Sequence, residues 1–190
     1  MLPPLNNAIF LDTETTGLGD DDQVVEIAVI DSAGHTLLNT LVKPTCPVSD
    51  GAAKVHGITA AELLHAPDFP TVWPQLLDAV RDRDVIIYNV IFDLRLLHQS
   101  ATAHSVDAAA LINAATTYSC AMQAYAEYWG DYNYYHSSFR WQSLSKAIRQ
   151  QKIALPPDLR PHRALADCHM TRLLVLKMAE EQDELSSVQL

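Results

Sequence analysis

After six residues the chain enters an apolar run, "NAIFLD" (7–12), and two more runs of β-branched and aliphatic residues follow, "QVVEIAVID" (23–31) and "HTLLNTLVKP" (35–44), with glycines in the intervening turns. Three such runs in close succession predict a three-stranded antiparallel meander. The period then changes. "TAAELLHA" (59–66) places Thr59 as an N-cap with Glu62 three residues later, the reciprocal capping arrangement, and "PTVWPQLLDAVRD" (70–82) repeats apolar residues at helical spacing. "DVIIYN" (84–89) is short and continuously apolar, as in a strand buried in a parallel sheet, and "FDLRLLHQSA" (92–101) reads as the helix after it. A last long helix over about 163–182 carries Leu173, Leu174, Leu176 and Met178. Strands first and strand–helix alternation afterwards predict an α/β fold, with a mixed central sheet flanked by helices.

A chain of 190 residues, 48% hydrophobic, suits a single domain with an ample core over about 7–182 and a short acidic C-terminal tail. Cys46, Cys120 and Cys168 form no CxxC pair, which predicts reduced thiols and a cytoplasmic location and shows no structural zinc site. The N-terminus has no basic region leading into a long apolar stretch, and the longest apolar runs are too short to span a bilayer, so no membrane partner is expected. The net charge of −10 argues against a polyanionic partner until its distribution is considered. Residues 140–177 hold eight of the thirteen basic residues against only Asp158 and Asp167, a local net of +6. That segment is either a basic wall or an ordinary solvated helix face.

Four carboxylates stand out by position. Asp12 and Glu14, one residue apart at the end of the first strand, share a face if the strand persists. Two adjacent carboxylates at a core edge raise a pKa or require a cation; the alternative ends the strand at Asp12 and leaves Glu14 solvated in the turn made by Gly17 and Gly19. Asp93 lies just past the C-terminal end of a buried strand, where open α/β sheets bind ligands, although a first-turn Asp is also favoured by the helix dipole alone. Asp167 begins the last helix among Leu165, Ala166 and Cys168, and burial there demands a positive partner that His162 could supply from the preceding loop.

Taken together, "FLDTETTGL", "NVIFD" and "HRALADC" resemble in order the three motifs of the histidine branch of the DEDD 3′-to-5′ exonucleases, which have the ribonuclease H-like fold. "AAKVHGIT" (52–59) is similar to a segment of the proofreading epsilon subunit of bacterial DNA polymerase III, and "PPDLRPHRALADCHMT" to exonuclease X. The resemblance implies a metal-dependent exonuclease releasing nucleoside monophosphates from single-stranded DNA ends, of proofreading or repair type. Its cofactor would be two Mg2+ ions, with Mn2+ as a substitute. Two such ions about 3.5–4 Å apart activate water, neutralise the phosphate and stabilise the departing oxygen, and Mg2+ takes oxygen ligands.

By the same resemblance Asp12 bridges the ions, Glu14 and Asp167 complete one, and Asp93 serves the second. His162, with an ordinary pKa of about 6.5, takes a proton from the attacking water. The backbone at Thr15 and Thr16 would receive the terminal nucleotide, Leu18 would pack on its base, and His56 and Asn89 would border the pocket. His56 also reads as a structural histidine and Leu18 as a covered turn residue. DNA is favoured over RNA as substrate; the alternatives are an exoribonuclease or oligoribonuclease, or a non-catalytic nucleic-acid-binding scaffold. A polymerase or a second copy of the chain is the expected protein partner. No HExxH spacing supports a zinc hydrolase.

Two features depart from the family pattern. Val90 stands where many relatives carry a small residue. Residues 125–141, "YAEYWGDYNYYHSSFRW", hold eight of the fourteen aromatic residues directly before the basic segment; they could stack unpaired bases, pack a long connection or form a dimer contact.

Overall fold

The structure is a computed structural model that describes residues 2–157 and 159–188, the side chains of 182–188 excepted. Asp158 and most of the acidic tail's side chains therefore lie outside the described residues. The three expected runs form β1 (Ala8–Thr15), β2 (Val24–Asp31) and β3 (Thr36–Leu41), paired antiparallel as a meander. Next come α1 (Asp50–His56), α2 (Ala60–Leu64) and α3 (Phe69–Val80). The Thr59–Glu62 capping box closes as expected, with the Thr59 N–H donating to the Glu62 carboxylate at 2.7 Å and the Glu62 N–H to Thr59 Oγ1 at 3.3 Å. β4 (Asp84–Ile87) lies parallel to β1 and leads into α4 (Val90–Ala103).

The second half holds elements that the hydrophobic pattern does not announce: α5 (Ala109–Ala114), β5 (Thr117–Cys120), α6 (Ala121–Trp129), the short hairpin of β6 (Tyr132–Asn133) and β7 (Ser138–Phe139), and α7 (Leu144–Gln150). The final helix, α8, runs Ala164–Val188. In the main sheet the strand order is β3-β2-β1-β4-β5, with β4 and β5 parallel to β1, giving the mixed sheet of a ribonuclease H-like α/β fold.

Strand alternation divides the core. Ile9, Leu11, Ile27, Val29, Val85 and Ile87 point to the face covered by α3 and α4. Their neighbours Phe10, Ala28, Ile30 and Ile86 point to the opposite face, under α6, α7 and α8. Each large aliphatic removed from water in this way contributes about 1.5–3 kcal/mol, which is why β1, buried on both sides, reads as one unbroken apolar run. α8 is fixed on that second face by Cys168, whose thiol donates to the carbonyls of Phe10 (3.4 Å) and Ala28 (3.3 Å). Among the described residues no helix is long and apolar enough to cross a membrane.

Candidate active site

β1 continues through Glu14, so Asp12 and Glu14 do share a face, the one over which α8 lies. Asp12 stands opposite Ala28 and Glu14 opposite Glu26 in the β1–β2 register. Asp167 comes down from the first turn of α8, and ligand oxygens of Asp12, Glu14 and Asp167 all fall within 4.8 Å of one another. Asp93 reaches the same cleft from the first turn of α4 by another route. The β1–β4 ladder ends at Leu11–Ile87, and Asp93 takes over beyond it, one carboxylate oxygen accepting from the Thr13 N–H (3.1 Å) and the Thr13 hydroxyl (2.8 Å). Asp12, Glu14, Asp93, Asn89, His162 and Asp167 all line this cleft of about 150 Å³.

Its electrostatics are one-sided. Burial, followed by the charges of Asp93, Asp167, Glu14 and Glu26, pushes the Asp12 carboxyl well above the usual carboxylate range. Glu14 is pushed up to about 8 by burial and then by Asp167, Glu26 and Asp93. Asp93 rises to about 7, burial outweighing the two bonds from Thr13, and Asp167 also rises through burial. Four carboxylates in this state demand positive charge, and their oxygen-only donor set is the kind that divalent cations such as Mg2+ accept.

His162 is exposed at the rim, in the left-handed backbone region at φ 66°. Its contact with Asp167 differs from the expectation: the His162 backbone N–H, rather than the imidazole, donates to the Asp167 carboxylate, at 3.2 Å. A non-glycine residue held there costs energy, so the carboxylate both closes the loop and fixes where the ring emerges.

Beside the carboxylates lies an apolar pocket of about 310 Å³ lined by Thr15, Leu18, Val55, His56 and Phe92 among others. Leu18, 78% exposed, stands at its lip. The turn that carries it is rigid: Thr15 Oγ1 donates to the Gly17 carbonyl (2.8 Å), Thr16 Oγ1 to Asp22 (2.6 Å), and Asp22 accepts from the Gly19 N–H (2.7 Å). Gly17 is closely approached: a Cβ there would lie 2.5 Å from an Asp22 carboxylate oxygen, which would have to move. Thr16 is not brought to the pocket; its N–H and carbonyl are already committed, to the Gln23 carbonyl and the Ser49 N–H at 2.8 Å each. His56 is buried, with Nδ1 accepting from the Ile58 N–H at 3.0 Å, and its pKa is lowered chiefly by that burial.

The sequence reading missed four residues that shape the site. Glu26, buried in β2, accepts from the Arg163 guanidinium and from the Ala164 N–H (2.9 Å) at the start of α8. Arg95 lies over the Phe92 ring (5.4 Å to its centroid) and donates to the carbonyls of Leu18 (3.2 Å) and Gly19 (3.0 Å), tying α4 to the lip. A signal for Glu26 existed in "VVEIAVID", where it is the one carboxylate flanked on both sides by apolar residues of the strand; Phe92 and Arg95 carried none beyond helical spacing.

Comparisons with known proteins match this geometry. The RNase_T family model, described as exonuclease, matches residues 9–175. The chain is 38% identical over 176 residues to the uncharacterized exonuclease CP81 of Escherichia phage 186, covering 92% of this chain and 89% of that one. It is 28% identical over 169 residues to exodeoxyribonuclease 10 of Escherichia coli K12, covering 87% and 66%. The DNA polymerase III epsilon subunit of Pasteurella multocida matches at 33% over 96 residues, only 38% of its length. Among solved structures, exonuclease X in complex with 5′ overhanging duplex DNA superposes with a TM-score of 0.67 at 26% identity, covering 92% of each chain. The nuclease domain of 3′hExo, a DEDDh family member bound to rAMP, gives 0.70 at 14% identity over 92% of each chain, a likeness of fold. A fold, a cleft that gathers four acids with a rim histidine, and a family match over nearly the whole chain converge, and the chain belongs to the exonuclease family.

Proposed function

We propose that residues 1–190 form a single exonuclease domain that hydrolyses single-stranded DNA from its 3′ end, releasing nucleoside monophosphates, with two Mg2+ ions as cofactor. The observation that carries this reading is the meeting of Asp12, Glu14 and Asp167 oxygens within 4.8 Å, with Asp93 on the same cleft. Asp12, Glu14 and Asp167 would hold one ion, and Asp93 with Asp12 the other. Bound divalent ions supply an activated water, charge neutralisation at phosphorus and stabilisation of the departing oxygen.

The protein's own groups do the rest. His162 accepts the proton of the attacking water from the rim loop. Leu18, Val55 and Phe92 take the terminal base in an apolar pocket, which selects a flat hydrophobic group without reading its sequence. His56 and Asn89 border the sugar and phosphate between that pocket and the carboxylates. DNA is favoured because the relative that aligns over most of this chain and carries a substrate in its name is an exodeoxyribonuclease. The three free thiols accord with a cytoplasmic protein.

The test is release of mononucleotides from matched 3′-labelled single-stranded DNA and RNA with Mg2+, Mn2+ or EDTA, comparing wild type with Asp12→Ala and His162→Ala. Metal-dependent shortening of DNA that both substitutions abolish supports the reading. Shortening of RNA alone would transfer the activity to the exoribonuclease alternative, and binding without shortening of either would make the chain a scaffold.

A further inference from the structure

The connection between α6 and α7 takes no part in the cleft chemistry, yet its surface differs in kind from the rest. Among the described residues, eleven large hydrophobic side chains are exposed; the five between 129 and 141 are all Tyr or Trp, and the six elsewhere are all aliphatic. Tyr134 (87% exposed), Tyr135 (90%) and Trp141 (65%) are the most open of these aromatics.

The hairpin that presents them is locally fixed. Tyr132 pairs with Phe139 and Asn133 with Ser138 across β6–β7. The Asn133 side-chain carbonyl accepts from the backbone N–H groups of Tyr135 (3.1 Å) and His136 (3.4 Å), and Arg140 closes the base on Asp131 through a backbone bond of 2.9 Å and an ion pair of 3.4 Å. Tyr132 spends its ring on edge contacts with Tyr134 and Phe139, centroids 5.1 Å apart in each case. Aromatic rings presented on such a turn need little further ordering to receive a flat partner.

Two observations identify that partner. The segment is continuous with the cleft: the Tyr88 hydroxyl donates to the Gln142 carbonyl at 2.7 Å, and Tyr88 and Leu144 line the cleft beside Asp12 and Asp167. Trp141 is three residues from Leu144, so at most about 11 Å of chain separates it from the cleft wall. The segment is also charged in the sense phosphates need. In a chain of net charge −10, residues 132–157 carry Arg140, Lys146, Arg149 and Lys152 and no Asp or Glu. Lys146 and Arg149, three apart on α7, share one face and are both exposed.

We propose that the β6–β7 hairpin and the basic face of α7 form a second, sequence-independent binding surface for single-stranded nucleic acid, holding the nucleotides on the 5′ side of those in the cleft. Unpaired bases stack on Tyr134, Tyr135 and Trp141, and the backbone phosphates meet Lys146 and Arg149. The proposal rests on the exonuclease reading, because the strand it holds is the one whose 3′ end the cleft consumes.

The experiment is fluorescence anisotropy of the full chain in EDTA with 5′-labelled oligothymidylate of about 3 and about 20 nucleotides, lengths that fall below and above common single-strand site sizes. Wild type is expected to prefer the longer strand. The Tyr134→Ala/Tyr135→Ala/Trp141→Ala protein should lose about tenfold or more of its affinity for that strand, so that the length preference collapses, at the 1–3 kcal/mol typical of each stacked base. Tyr134→Phe/Tyr135→Phe, which keeps both ring faces, should retain the preference and shows that folding is not at issue. Lys146→Ala/Arg149→Ala should weaken binding and flatten its salt dependence. An unchanged length preference in the triple alanine protein overturns the proposal. So does a dimer in sedimentation that becomes monomeric on the triple substitution with no loss of oligonucleotide affinity, which would make the hairpin a contact between copies. Release of thymidylate by wild type in Mg2+, measured separately, tests the exonuclease reading: binding without release sinks that reading and leaves the surface standing.

Discussion

Arg163 and Glu26, 137 residues apart in sequence, form a fork between the start of α8 and the middle of β2, the guanidinium Nε lying 3.1 Å from each carboxylate oxygen. Glu26 also accepts the Ala164 N–H, so one buried carboxylate caps the helix that carries Asp167 and anchors the residue directly after His162. Glu26 faces Glu14 across the strands and its charge raises the Glu14 pKa, while Arg163 acts on Glu14 in the opposite sense, so the fork partly offsets the charge that Glu26 adds to the carboxylate cluster.

Removing the cation should expose that dependence. Arg163→Ala leaves Glu26 buried with only the Ala164 N–H, and urea unfolding should show a loss of about 2–4 kcal/mol; the Arg163 side chain is 40% exposed, which keeps the cost toward the lower end of the range for buried pairs. With Asp167 and His162 no longer held in place, kcat should fall roughly 10- to 100-fold, the scale set by displacing a catalytic group by about 1 Å. Unaltered turnover in a folded variant would show that the fork serves stability alone.

The carboxylate cluster predicts an inverted pH dependence for the metal-free protein. Glu14 rises from 4.5 to about 8 and Asp93 from 3.8 to about 7 on folding. A carboxyl raised in the folded state favours folding below its unfolded pKa, and that contribution is lost as pH rises through the folded pKa. The melting temperature in EDTA should therefore fall between about pH 4 and pH 8, and Mg2+ or Mn2+ should reduce the fall at the alkaline end. Asp12→Asn should abolish hydrolysis yet raise the metal-free melting temperature at pH 8 by roughly 2–4 °C for each kcal/mol of repulsion relieved. Scanning calorimetry of both proteins across this range decides the matter.

Thr13 prepares Asp93 for its position. Thr13→Val keeps the shape but removes one of the two donors to the Asp93 carboxylate. A lost bond to a charged acceptor predicts about 1.5–3 kcal/mol less stability in denaturant unfolding. Since that hydroxyl lowers the Asp93 pKa, the acidic limb of the pH–rate profile should move to higher pH.

The lip of the apolar pocket depends on Gly17. In Gly17→Ala the new Cβ would drive the Asp22 carboxylate away, breaking its bonds to the Thr16 hydroxyl and the Gly19 N–H. Leu18 then loses its fixed support, and KM for oligonucleotide should rise several-fold, with kcat changed less because Asp12 and Glu14 lie in the strand before the turn. A kcat loss equal to the KM change would show that the turn positions the carboxylates as well.

The residues themselves determined the meander, the buried parallel strand β4 and the long final helix, because each of these rests on local periodicity, and they marked four acids by position that the family resemblance joined. The sharing of a face by Asp12 and Glu14 follows from the two-residue repeat of a strand once β1 continues through Glu14, which the tertiary structure decided. Tertiary structure decided the rest. β5 is four residues long and half polar, so its place in the sheet comes from parallel pairing with β4, a contact of 33 residues' separation at Asp84–Thr117. Likewise Glu26 shows its use only when β2 meets α8, and Asp93 is held by Thr13 only because β1 continues past the end of β4, with Thr13 two residues beyond the last β1–β4 pair. Such pairings join residues 33 to 137 positions apart, and nothing in the local pattern of either partner specifies the other.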